Sequence, residues 1–106
     1  VAGGTNGGAD INHLIMLSEN RWMAAMDMGH LIRTDNSGLT WLDPSTGLGG
    51  AFMLGIDALN PYLALSVGET TSFPRFGPIA RTTNGGQTWT KVYNHNAALY
   101  KISFAK

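Results

Sequence analysis

Apolar positions in this chain come in runs of four to eight, separated by Gly, Asn, Ser and Pro, and no apolar run has helical length. The last run shows the two-residue period of a half-buried strand: Leu99, Lys101 and Ser103 on one face, Tyr100, Ile102 and Phe104 on the other. Turn residues at 18–20, 36–38, 60–61 and 84–86 bound the other runs. The pattern predicts strands over 11–17, 22–27, 31–34 and 39–42. A second set follows over 52–58, 62–67, 79–82 and 88–93, and a single strand over 99–104. A helical reading fails because Gly or Asn interrupts every window before 10–12 residues accumulate.

An internal repeat orders these strands. The nine residues from Arg33 to Trp41 match those from Arg81 to Trp89 at six positions, 48 residues apart. Upstream, residues 20–24 align with 60–64 at a shorter spacing of 40, and an additional loop at 69–77 absorbs the difference. Four short strands in each ~45-residue unit is the signature of a propeller blade. The expected fold is all-β: two four-stranded blades plus the first strand of a third. The expected organisation is a flexible Gly-rich leader over 1–10, blades over 11–50 and 51–95, and the further strand over 96–106. Two blades do not close a propeller, which has roughly 4–8. The expected partners are therefore further blades, from the same parent protein or from other copies of this chain. Residue 1 is Val, in keeping with a processed chain or a piece of a longer one.

Composition narrows the function. The chain has 106 residues, with 14 Gly and no Cys, so disulfides and thiolate metal sites are excluded. Seven basic and seven acidic residues give no net charge, which argues against a nucleic-acid or anionic-membrane partner. The longest uncharged apolar-leaning run is far short of the ~20 residues of a membrane span. His13, His30 and His95 show no metal-ligand spacing, and neither a metal nor a cofactor is expected. The glycine-rich start lacks the features of a phosphate loop, and no nucleophile elbow is present.

The repeated hairpin, Thr-x-Asn-x-Gly-x-Thr-Trp, resembles the Asp-box, or bacterial neuraminidase repeat, of sialidases, sortilin-type receptors, photosystem assembly factors and xyloglucanases. Its members here are Thr34, Asn36, Gly38 and Trp41 in the first unit, and Thr82, Asn84, Gly86 and Trp89 in the second. The residue types suit a tight turn: a short amide that bonds turn N–H groups, Gly for positive φ, and Trp to seal the hairpin. These residues are assigned to folding rather than to chemistry. Trp22 and Tyr62 hold matching repeat positions and are expected in the core.

The ordered set of segments around residues 22–33, 53–59, 62–68 and 79–90 resembles the N-terminal propeller of glycoside hydrolase family seventy-four, the xyloglucan-cleaving endoglucanases and cellobiohydrolases. The resemblance implies a carbohydrate-active, extracellular propeller acting on a β-glucan or xyloglucan-type polysaccharide. It places Asp27 on one of the family's two catalytic carboxylates, as general base of an inverting reaction. In that family the second carboxylate belongs to another propeller, which this chain does not contain. His30 borders Asp27 in the sequence, and Phe73, Arg75 and Phe76 stand in the additional loop; all four are candidate ligand contacts. On an extended chain Asp27 and His30 would point to opposite faces. The alternative is a non-catalytic adhesion or structural propeller element, lectin-like or part of a viral tail on the virion surface.

Overall fold

A computed structural model describes residues 10–105. The apolar runs form seven strands: β1 (Ile11–Met16), β2 (Trp22–Met26), β3 (Leu31–Thr34), β4 (Ala51–Ala58), β5 (Ala64–Thr70), β6 (Gly77–Thr82) and β7 (Thr90–His95). They pair as two antiparallel meanders, β1-β2-β3 and β4-β5-β6-β7. The expected leader over 1–10 lies, but for Asp10, outside the described residues.

Two expected strands differ from what forms. Residues 39–42 make a single bridge to the first sheet, with Arg33 N–H donating to the Leu42 carbonyl (3.0 Å) and Leu42 N–H to the Arg33 carbonyl (2.7 Å). Pro44 follows two residues later and has no N–H to extend the ladder, whereas nothing interrupts β7 in the second sheet. Residues 99–104 form no ladder. They cross the second sheet on two backbone donors: Leu99 N–H to the Gly68 carbonyl (3.0 Å) and Phe104 N–H to Asp57 Oδ2 (2.7 Å).

The repeat is faithful but is out of step with the sequence alignment by two residues before the hairpins. Leu17 N–H donates to the Arg21 carbonyl as Leu59 N–H does to that of Leu63, a spacing of 42 rather than 40. Ser18 Oγ accepts from Arg21 N–H as Asn60 Oδ1 accepts from Leu63 N–H. Trp22 pairs with Thr34 as Ala64 pairs with Thr82. Both first strands carry an irregularity at the same place, between Ile11 and His13 and between Met53 and Gly55. Trp22 therefore corresponds to Ala64, and Tyr62 corresponds to Asn20. This is why Tyr62 stands exposed on a turn instead of in the core, its carbonyl accepting from Gly85 N–H as that of Asn20 accepts from Ser37 N–H.

The two hairpins share one bonding scheme. Thr34 Oγ1 donates to Asn36 Oδ1 (2.9 Å) and accepts from the N–H of Asn36 (3.2 Å) and Gly38 (2.9 Å). Asn36 Oδ1 also accepts from Thr40 N–H (2.9 Å), and its Nδ2 donates to Thr40 Oγ1 (2.8 Å). Thr82, Asn84, Gly86 and Thr88 repeat every one of these bonds. The amide uses both its ends, which is why Asn serves in this turn. Trp41 closes the first hairpin, Nε1 donating to the Gly38 carbonyl (3.1 Å), and its ring meets Trp22.

One face of the first sheet packs on one face of the second. Met23, Ala25 and Leu31 meet Met53, Ile56, Ala58, Ala64, Ala80 and Trp89 in a single buried cluster. At that interface the small residues of the second sheet admit the larger ones of the first, as dense packing requires. Polar bonds fix the docking. Asn12 Nδ2 donates to the Met53 carbonyl (2.9 Å), and His13 Nδ1 accepts from Ile56 N–H (3.1 Å). Arg33 donates from Nη1 to the Gly85 carbonyl on the neighbouring hairpin. Gly85 sits at φ 72°, and Ser37, its counterpart in the first hairpin, holds φ 60°.

Candidate functional site

Because antiparallel strands alternate in direction, the β2–β3 turn, the connection 43–50 and the β5–β6 turn emerge at one end of the sheets, opposite the two repeated hairpins. Thr71 N–H donating to the Gly50 carbonyl (2.9 Å) ties two of these segments together. Loops on a rigid scaffold are where binding residues concentrate.

The β2–β3 turn, Asp27–Gly29, is a short 3-10 turn rather than extended chain, so the expected opposition of Asp27 and His30 does not apply. Met28 and Gly29 are both left-handed, at φ 60° and 73°. Gly29 is required there. A Cβ would lie 2.1 Å from the Leu48 carbonyl oxygen. Met28 is exposed and holds a conformation that costs an L-residue roughly 1–2 kcal/mol. Strain of this kind clusters at functional sites. Met28→Gly is expected to raise stability by up to about 1 kcal/mol, read as a higher urea midpoint; a lower midpoint would show that the Met28 side chain packs usefully.

The turn sets His30 against the connection 43–49. His30 Nδ1 lies 2.9 Å from Asp43 Oδ1. A carboxylate only accepts, so Nδ1 carries the proton and Nε2 remains for another partner. Thr46 Oγ1 donates to the Gly29 carbonyl (2.6 Å) and accepts from Leu48 N–H (3.2 Å), fastening the connection to the turn. Between them lies an open depression of about 360 Å³ lined by Met28, His30, Asp43, Ser45 and Thr46.

Asp27 stands at the start of the same turn but does not line the depression. Its Oδ1 accepts from Asn12 Nδ2 (2.9 Å), the same amide nitrogen that donates to Met53 in the second sheet. The candidates in the β5–β6 turn gather separately. The Arg75 guanidinium lies 4.8 Å from the Phe73 ring centroid and pairs with Glu69 at 3.2 Å. Phe73 is 83% exposed, and Phe76 is half-buried with its N–H donating to Thr70 Oγ1. None of the three lines the depression. Asp43 and Thr46 escaped the sequence reading because no motif marks them. They reach the turn only through a fold that returns to it after 13 and 17 residues. Among the described residues no three His, Asp or Glu side chains cluster as a metal site would.

No protein-family model and no curated protein matches the chain. Among solved structures it matches that of YCF48 bound to D1 peptide, with a TM-score of 0.62 and 18% identity. The match covers 80% of this chain and 26% of that one, so the chain spans about a quarter of its length. The fold is that of β-propeller blades. The depression lies between the β2–β3 turn and the connection 43–50 that joins the two sheets.

Proposed function

We propose that this chain is part of an Asp-box propeller that binds a polysaccharide, akin to the xyloglucan-cleaving glycoside hydrolases, with the His30–Asp43 depression as its sugar seat. The observation that carries the reading is the shared turn: one strained four-residue segment presents Asp27 and, through His30, a polar depression beside it. Its volume sits near the lower end of ligand pockets, roughly 300–1,000 Å³. A neutral polar ligand suits a lining of imidazole, carboxylate and hydroxyls, and suits a chain without net charge. In a complete enzyme Asp27 would serve as general base, facing a carboxylate of another propeller at roughly 6.5–9.5 Å. Such a protein works outside the cell or on a virion surface.

Titration calorimetry with xyloglucan oligosaccharides tests the reading. His30→Ala is expected to weaken binding about tenfold, the equivalent of one lost hydrogen bond. Asp27→Asn is expected to leave binding within about threefold, since the amide keeps the shape and Asp27 acts on the bond rather than the seat. Absence of binding by the native chain would overturn the proposal. A second reading, peptide recognition without chemistry, draws on the solved neighbour, YCF48, which is bound to a peptide. Binding of extended peptides but not of glycans, lost in His30→Ala, would favour it.

A further inference from the structure

The connection 43–50 borders a second, smaller hollow of about 130 Å³ as well as the depression. Gly47 lines both, Gly49 the depression and Gly50 the smaller hollow. The second sheet supplies Thr70 at the end of β5, and Lys91 and Asn94 on β7. The two hollows adjoin at Gly47, at the end of the sheets where the β5–β6 turn emerges.

The boundary between them is glycine. Gly47 holds φ 73° and needs to be glycine for its backbone. Gly49 and Gly50 differ. Neither is left-handed, and a Cβ on either would meet nothing within 4 Å. Nothing inside the chain asks for glycine at these two positions. Their missing side chains leave an open approach to the backbone from outside. The N–H groups of Gly47, Gly49 and Gly50 donate to no described residue, so they are left for an outside acceptor. The strip itself is fixed. The Leu48 carbonyl accepts from Ala51 N–H and the Gly50 carbonyl from Thr71 N–H, both at 2.9 Å.

Charge separates the two hollows. The depression holds the His30–Asp43 pair. Lys91 is the charged side chain of the smaller hollow, and it has no ion pair among the described residues. Glu69, the acid next to Thr70, is taken up by Arg75 at 3.2 Å. An ammonium with three donors, beside a hydroxyl and an amide, suits an anion.

We propose that the sugar seat continues across Gly49 and Gly50 into this hollow, and that its ligand is an acidic polysaccharide. A neutral ring rests against His30, and the carboxylate of a neighbouring uronic acid meets Lys91. The inference rests on the sugar-seat reading and adds to it the class of sugar. Lys91 is exposed, so its attraction is that of a surface ion pair. It sorts ligands rather than holding them.

Titration calorimetry with two ligands tests this: cello-oligosaccharides, and cello-oligosaccharides of the same length carrying glucuronate. The native chain is expected to bind the acidic ligand about two- to fivefold more tightly in dilute buffer, the range of one exposed ion pair. The advantage should vanish near 1 M salt, where charges are screened within about 3 Å. Lys91→Gln is expected to bring the two ligands to equal affinity. Lys101→Gln removes the same charge from residues 99–105 and should leave the preference in place. Gly49→Leu is expected to keep the native urea midpoint and to weaken both ligands about tenfold, since its side chain stands in the crossing. Equal affinities in the native chain would overturn the inference and leave the sugar seat standing. A preference that survives Lys91→Gln, or native binding by a folded Gly49→Leu protein, would overturn it too. A native chain that binds an acidic peptide and neither glycan would overturn it together with the sugar-seat reading.

Discussion

Gly29→Ala is expected to cost roughly 2–5 kcal/mol, a large part of the stability of a small domain. Two terms add. The left-handed φ of 73° disfavours any Cβ, and that Cβ would overlap the Leu48 carbonyl, which belongs to backbone and has nowhere to retreat. Leu48 is part of the cluster that joins the two sheets, so movement there opens the core. Gly47 provides the control. It holds the same φ of 73° but has nothing within 4 Å of a Cβ, so Gly47→Ala should lose only about 1–2 kcal/mol, the strain alone. Urea unfolding of the two variants separates the terms, and equal midpoints would show that the contact with Leu48 carries no weight. His30 follows Gly29 directly, so any Gly29→Ala protein that folds should also lose the His30–Asp43 pairing. The imidazole resonances report it.

Thr82→Val is expected to cost about 2–4 kcal/mol. Valine matches threonine in shape, so the loss is confined to the hydroxyl. That hydroxyl is buried, donates to Asn84 Oδ1 and accepts from the N–H of Asn84 and Gly86. Removing it leaves two backbone donors unmatched at a turn the sequence cannot otherwise satisfy. Thr82→Ser keeps the bonds and should lose less than about 1 kcal/mol. Thr34→Val removes the equivalent hydroxyl, but Gly38 is half-buried where Gly86 is buried, so water can replace part of what is lost. Its effect should be smaller. Equal effects at the two sites would mean that burial of the second hairpin against Met23 and Arg33 adds nothing.

The sequence carried some of this plainly. The hairpins were legible because their bonds run between residues two and four positions apart, so spacing and chemistry are the same fact. The meander order was legible because each strand is bounded by its own turn residues. The alignment of 20–24 with 60–64 rests on a coincidence of asparagines and differs by two residues from the equivalence the hydrogen bonds set. Asn60 does the work of Ser18, since either side-chain oxygen accepts from the N–H three residues on. The fourth strand of the first blade shrinks to a single bridge, because an apolar run carries no sign that Pro44 ends its pairing. The site was legible only in part. Asp27 and His30 were visible, but Asp43 and Thr46 reach them through tertiary folding and carry no local signature. The aromatics of the additional loop were visible too, and the fold sets them apart from the depression.

The spacing between the two units grows from 42 to 48 residues across the β5–β6 turn, while the strands on either side keep their partners. Six residues have been absorbed there without a change of register. A turn that has accepted one insertion is a natural port for another. A reporter peptide or an affinity handle grafted between Ser72 and Pro74 should leave the blade intact, offering a way to watch or immobilise the molecule from the end opposite its repeated hairpins.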